Sequence, residues 1–142
     1  MEDVRKTHSP ISPSSILETS IYATDLLAAK LFYGDLLRLQ MEVTVPNRHI
    51  FFRCGEGMLL VFNPNATATA SESPIPRHGT HGPGHVCFST KASEIDEWRA
   101  KFLEKKIEID ADFLWPNGAR SLYIRDPAGN SVEFAEPRLW SL

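Results

Sequence analysis

Glu133 is the side chain in this sequence whose surroundings most constrain its chemistry. It lies in Ser121-Leu-Tyr-Ile-Arg-Asp-Pro-Ala-Gly-Asn-Ser-Val-Glu-Phe134. There Asp126-Pro127-Ala128-Gly129 supplies the Asp, Pro and Gly that a type I turn favours at its first, second and fourth positions. β-Branched and aromatic residues flank the turn, so the segment predicts a hairpin. In the outgoing strand Val132 and Phe134 fall on one face, and Ser131, Glu133 and Ala135 on the other. A carboxylate among small neighbours, on a strand whose opposite face is apolar, points to a cavity or a bound cation. An exposed glutamate on an edge strand is the alternative reading.

Other groups in the chain carry less. His78-Gly-Thr-His81-Gly-Pro-Gly-His85 tempts a zinc reading, but structural zinc favours four ligands with cysteine among them, and neither Cys54 nor Cys87 is local. Both cysteines fall within predicted strands, without Cys-x-x-Cys spacing, and read as buried, reduced spectators. Gly82 and Gly84 build no phosphate-cradling motif, and the chain has no nucleophile elbow. Arg53 and Arg120 are candidates for holding an anionic substrate, with surface solvation or an ion pair as the competing role.

These groups must be positioned by elements the pattern predicts. Residues 1–15, with Ser9-Pro10 and Ser12-Pro13-Ser14-Ser15, read as a flexible polar arm before a single domain over 16–142. A strand over 16–23 places Glu18, Ser20 and Tyr22 on one face. Asp25 caps a helix to about Leu37 whose apolar stripe is Leu26, Ala29, Phe32, Tyr33 and Leu36. Strands follow near 41–45, 49–54 and 58–62. The stretch from Asn63 to Gly84, rich in Pro, Thr, Ser, Ala and Gly, is long for a connection in a compact domain, which often marks a functional loop. The pattern then begins again: a strand over 85–89, a helix from a Ser93 cap to about Lys105 with Ile95, Trp98 and Phe102 on one side, and strands near 107–114, 121–125 and 131–135.

β-α-β-β-β therefore occurs twice, in modules of about 16–65 and 84–137. Glu18 and His85 hold matching places, seven or eight residues before the helix caps Asp25 and Ser93. The segment from Gly57 to Pro64 parallels that from Gly129 to Pro137. A repeat of this length predicts an α+β fold in which two curled mixed sheets face each other about a pseudo-twofold axis, enclosing a pocket lined by first and last strands.

The bulk properties narrow the function. The 142 residues are 23% charged with a formal net charge of −3, which gives no electrostatic case for nucleic acid or an anionic membrane surface. No apolar run approaches the roughly 20 residues that span a bilayer. The opening Met-Glu-Asp-Val-Arg-Lys-Thr-His lacks the apolar core of a secretory signal, so a cytoplasmic protein is expected.

The double βαβββ pattern, with Asp25-Leu-Leu-Ala-Ala-Lys-Leu-Phe-Tyr33, Gly84-His85-Val-Cys-Phe and Arg125-Asp-Pro-Ala-Gly-Asn-Ser-Val-Glu133, resembles the vicinal oxygen chelate superfamily. That group includes glyoxalase I, extradiol dioxygenases, fosfomycin-modifying thiol transferases, methylmalonyl-CoA epimerase and bleomycin-resistance proteins. The resemblance implies metal ligands at inward positions of the first and last strands of each module. Here these are Glu18, a position near Val61 (or Leu59 if the register shifts by two), His85 and Glu133. The position near Val61 is apolar, and Glu18 stands where His or Gln is common, so three protein ligands are implied: Glu18, His85 and Glu133. Their alternatives are an exposed strand residue, a satisfied core histidine and a rim carboxylate paired with an arginine.

A divalent metal ion held by two carboxylates and an imidazole would be Zn²⁺, Ni²⁺, Mn²⁺ or Fe²⁺. It would polarise a carbonyl while a carboxylate, Glu133 first and Glu18 second, moves a proton. The resemblance thus implies a glyoxalase-type lyase or isomerase acting on a small carbonyl or hydroxy-carbonyl substrate. An Fe²⁺ extradiol-type dioxygenase is the alternative, although such enzymes usually carry two histidines and one carboxylate. A metal-free small-molecule or drug-binding protein is a third reading. The resemblance further implies a homodimer. The surrounding glycines put His78 and His81 on a hinged loop near the pocket mouth, and Tyr22 and Ser20, sharing the Glu18 face, are expected to line the cavity. Trp115 and Trp140 are expected at sheet ends or a subunit contact. Arg38 stands where a glycine often closes the first helix in αL, and must adopt that conformation or end the helix otherwise.

Overall fold

The computed structural model describes residues 10–142. The first nine residues of the expected arm lie outside them, and residues 10–15 are exposed and irregular. Among the described residues, eight strands form two four-stranded sheets. In the first, β1 (Glu18–Tyr22), β2 (Gln40–Val45), β3 (His49–Cys54) and β4 (Gly57–Phe62) lie in the order β1-β4-β3-β2. In the second, β5 (His85–Ser89), β6 (Ala111–Leu114), β7 (Arg120–Arg125) and β8 (Ser131–Ala135) lie as β5-β8-β7-β6. The first and last strands of each module pair in parallel, and the remaining neighbours pair antiparallel. The fold is α+β with two mixed sheets that do not close into a barrel. No helix among the described residues is long and apolar enough to cross a membrane.

The helices cover the outer sheet faces. α1 (Leu26–Ala29) starts at Asp25, whose side chain accepts from Ala28 N–H. Only this first turn is α-helical, against the expected helix to Leu37; residues Lys30–Leu36 wind as a π-helix. Consecutive Phe32 and Tyr33 both enter the core, and the i→i+5 bond from Leu37 N–H to Phe32 C=O sets Leu37 beside them. Arg38 then takes the αL conformation (φ 61°), at a cost of roughly 1–2 kcal/mol that a glycine would avoid. α2 (Pro64–Thr67) is a single capped turn inside the long connection. α3 (Ala92–Glu104) begins at Lys91 without a side-chain cap, so Ser93 lies within the helix rather than at its end. Its inward stripe is Ile95, Trp98 and Phe102, as the spacing predicted.

One apolar core joins both modules, from Ile21, Phe52 and Val61 to Ile95, Leu122 and Phe134. Each fully buried side chain of this size contributes on the order of 1.5–3 kcal/mol. A polar knot crosses the same boundary. Asp126 caps its own turn, accepting from Ala128 N–H and Asn130 N–H, while its second oxygen accepts from Tyr33 O–H at 2.7 Å and Asn130 Nδ2–H at 2.9 Å. Asn130 Nδ2 also donates to Tyr22 C=O at the end of β1, and its Oδ1 accepts from Gly84 N–H just before β5. One asparagine thereby fixes the two strands that carry Glu18 and His85.

Candidate functional site

On the inner face of the second sheet, β5 and β8 bring His85 against Glu133, with Nε2 and Oε1 3.3 Å apart. Glu133 is 5% exposed, and burial on this scale demands partners. Its Oε2 accepts from Ser121 Oγ–H at 2.6 Å, and Ser121 Oγ in turn accepts from Trp115 Nε1–H at 2.7 Å. The His85 Nδ1 lies 3.1 Å from Ser131 C=O. A carbonyl only accepts, so Nδ1 carries the hydrogen and a neutral ring turns its Nε2 lone pair toward Glu133. Two acceptors facing each other at this distance are satisfied by a proton or a cation between them. The Ser131 carbonyl behind His85 and the Ser121 hydroxyl behind Glu133 are partners of the kind that orient metal-binding imidazole and carboxylate groups.

Tyr123 completes this face. Its ring stacks between His85 (centroids 6.2 Å, planes 19° apart) and Phe113 (5.8 Å, 8°). Burial, then its hydrogen bond to Glu133, push the phenol up to about 12, so it remains a donor at neutral pH. Cys87 pairs with Glu133 across the β5–β8 register. It is exposed rather than buried as expected, and desolvation followed by the Glu133 charge raise its thiol to about 12, opposing thiolate chemistry. Ser121, Trp115 and Tyr123 join the site only in the folded structure. Their signal in the sequence is the alternation that puts Ser121 and Tyr123 on the Glu133 face of β7.

Glu18 stands on the first sheet and is exposed, sharing the inner face with Ser20 and Tyr22. Among the described residues no three His, Cys, Asp or Glu side chains are grouped to hold a metal ion. One chain therefore assembles the His85–Glu133 pair and leaves Glu18 outside it. The fourth position is neither Val61 nor Leu59, both of which point into the core (0% and 2% exposed). Leu60 faces inward: it pairs with Ser20 as Glu133 pairs with Cys87. The segment from Gly57 to Pro64 is one residue shorter than that from Gly129 to Pro137, so Glu133 aligns with Val61 from the glycine and with Leu60 from the proline. The side chain there is still apolar.

The arginines are already paired. Arg53 bonds Glu42 at 2.9 Å, and Arg120 bridges Asp112 and Asp96 at 2.9 and 2.6 Å, so neither is presented to an anionic substrate. The Arg120 hydrogen bond, above all, holds the Asp112 carboxyl below its usual range. A lowered folded-state pKa stabilises the fold above the unfolded value and the effect fades as pH falls through the folded one. Denaturant midpoints should therefore drop below about pH 4, and Asp112→Asn should flatten that drop. Trp140 is 77% exposed. His78 lines the inner face of the first sheet, its Nδ1 2.7 Å from Tyr22 Oη, while His81 lies in a separate hollow with Tyr22 and Thr80.

A sequence model of the Glyoxalase/Bleomycin resistance protein/Dioxygenase superfamily matches residues 15–134. The crystal structure of a lactoylglutathione lyase from Agrobacterium tumefaciens is 48% identical, with a TM-score of 0.90 over 92% of this chain and 99% of that one. A glyoxalase/bleomycin resistance protein/dioxygenase from Nocardioides (20% identity, TM-score 0.70, 89% and 85% covered) shares the fold. So does a glyoxalase/dioxygenase from Nostoc punctiforme (21%, 0.65, 90% and 96%). No curated protein matches the chain.

Proposed function

The chain belongs to the Glyoxalase/Bleomycin resistance protein/Dioxygenase superfamily, and from that premise we propose that it is a metal-dependent glyoxalase-type lyase or isomerase of small carbonyl compounds. The observation that carries this reading is the buried Glu133 carboxylate with one oxygen held by Ser121 and the other facing His85 Nε2. The 48% identity to a protein named lactoylglutathione lyase supports the same class.

His85 and Glu133 would hold the cation from this chain, since their donor atoms converge and each is oriented from behind. A bound Zn²⁺, Ni²⁺, Mn²⁺ or Fe²⁺ would supply Lewis-acid polarisation of the carbonyl. Glu133 takes the proton from the carbon next to that carbonyl and returns it to the neighbouring carbon, an isomerisation that consumes no other reactant. Ser121 and the Tyr123 phenol, both hydrogen-bonded to the carboxylate, keep it aimed. Glu18 enters as the third donor from a second copy of the chain, which makes the active form a homodimer. The free cysteines Cys54 and Cys87 suit a reducing cytoplasm.

Metal analysis tests the reading directly. Protein purified without a metal-affinity tag and incubated with Mn²⁺, Ni²⁺ or Zn²⁺ should take up one ion per chain, and His85→Ala should weaken uptake by at least about 100-fold. Uptake unchanged by His85→Ala would remove the pair from the site. Mixed and refolded Glu18→Ala and Glu133→Ala chains should regain roughly a quarter of the wild-type sites, the share that random pairing in a twofold dimer restores. No recovery on mixing would place Glu18 elsewhere.

A further inference from the structure

A hollow of about 620 Å³ lies beside Glu18 on the first sheet, bounded by the inner faces of β1, β3 and β4 and by residues 75–78 of the long connection. Its floor is aromatic. Phe62 sits edge-on to Phe51 (centroids 5.3 Å, 75°), to His49 (5.8 Å, 77°) and to His78 (4.6 Å, 81°), while His49 lies flat on Phe51 at 4.1 Å. Burial, then Arg48, lower the His49 pKa, so the ring is neutral at pH 7 and serves as a π-surface. Its Nδ1 is buried with no hydrogen-bond partner.

The wall formed by the long connection is fixed in place. His78 N–H donates to Thr67 C=O, and the His78 ring meets Tyr22 Oη at 2.7 Å. Gly79 (φ 154°) passes so close to Pro64 that a Cβ would stand 3.1 Å from its carbonyl oxygen. Two guanidinium groups, Arg48 and Arg77, border the hollow against one carboxylate, Glu18. Among the described residues neither arginine forms an ion pair, in contrast to Arg53, Arg99, Arg120, Arg125 and Arg138.

We propose that this hollow binds a small aromatic carboxylate, its ring on Phe51 and Phe62 and its carboxylate on Arg48 and Arg77. Planar guanidinium forks match a carboxylate's two oxygens, and edge-and-face aromatic walls select a ring over an aliphatic chain of equal size. This gives the substrate class of the reaction proposed above and rests on that reading only for what happens to the bound compound.

The full chain, freed of metal with chelator, is titrated calorimetrically with benzoate, cyclohexanecarboxylate and benzyl alcohol. Benzoate should bind at least about tenfold more tightly than either of the others, the difference expected of one charge-assisted contact or one aromatic pair. Arg48→Gln and Arg77→Gln should each weaken benzoate about tenfold and leave benzyl alcohol unchanged. Amide shifts on adding benzoate should fall in β3, β4 and residues 75–78. Benzoate binding no tighter than benzyl alcohol, or unmoved by both substitutions, or shifting β5 and β8 instead, would overturn the proposal. Because the titration needs neither metal nor turnover, benzoate binding survives in Glu133→Gln even where the catalytic reading fails.

Discussion

Glu133→Gln should lower turnover by about a thousandfold while the protein unfolds within about 2 °C of the wild type. The loss follows from removing a positioned base, worth roughly 10²–10⁴ in rate. The preserved stability follows from the local geometry. The amide oxygen can still accept from Ser121 Oγ–H, and the amide N–H then meets the His85 Nε2 lone pair, which the Ser131 carbonyl forces to face that way. Glutamine thus exchanges two opposed acceptors for a donor and an acceptor. Phenylpyruvate is a suitable probe, being an aromatic carboxylate with a proton next to its carbonyl. Its exchange with solvent deuterium, followed by NMR above the uncatalysed rate, reports proton transfer alone. Exchange by Glu133→Gln at the wild-type rate would eliminate Glu133 as the base, and a large fall in melting temperature would make its role structural.

The contrast between what the chain announced and what only folding revealed has a physical origin. The bounds of β3, β5 and β8 are legible in the sequence because alternation and turn chemistry are local, as at Gly55 after β3, Gly84 before β5 and the Asp126-Pro127-Ala128-Gly129 turn before β8. The Ile95-Trp98-Phe102 stripe was equally plain. The first helix showed its buried residues but not its winding, since a stripe fixes which side chains go inward and leaves α or π hydrogen bonding to the packing of Phe32 beside Tyr33. β6 read long because Ile107 and Ile109 are apolar and core-packed, yet only Ala111–Leu114 pair with β7. At the site, the meeting of His85 with Glu133 follows from the family resemblance, which puts both at inward positions of first and last strands. The Trp115-Ser121 support does not, because a serine's partner depends on a register between strands that no single segment encodes. Arg53 and Arg120 were unreadable for the same reason: charge is visible in sequence, and its neutralising partner across a sheet is not.

Asp126→Asn should cost about 3 kcal/mol of folding stability, roughly 10 °C in melting temperature for a domain of this size. The substitution keeps volume and shape, so the cost isolates hydrogen-bond polarity. Asp126 is 5% exposed and spends both oxygens on donors: two backbone N–H groups on one, and the Tyr33 hydroxyl with the Asn130 amide on the other. An asparagine in this place must aim its own N–H₂ at one of those donor pairs, leaving buried donors unpaired. Burial, then the Asp126 charge and hydrogen bond, raise the Tyr33 pKa, so the phenol stays a donor throughout the accessible pH range. Tyr33→Phe removes one bond and should cost less, about 1–2 kcal/mol, and the double variant should cost less than the sum because the two share one contact. The larger consequence lies beyond stability. Asp126 orients Asn130, and Asn130 hydrogen-bonds both the end of β1 and the residue just before β5. Loosening it should reduce metal affinity measured well below the melting temperature, although no ligand has been touched. Metal affinity unchanged in a destabilised Asp126→Asn would confine the knot to folding, and an unchanged melting temperature would mean the buried donors find other acceptors.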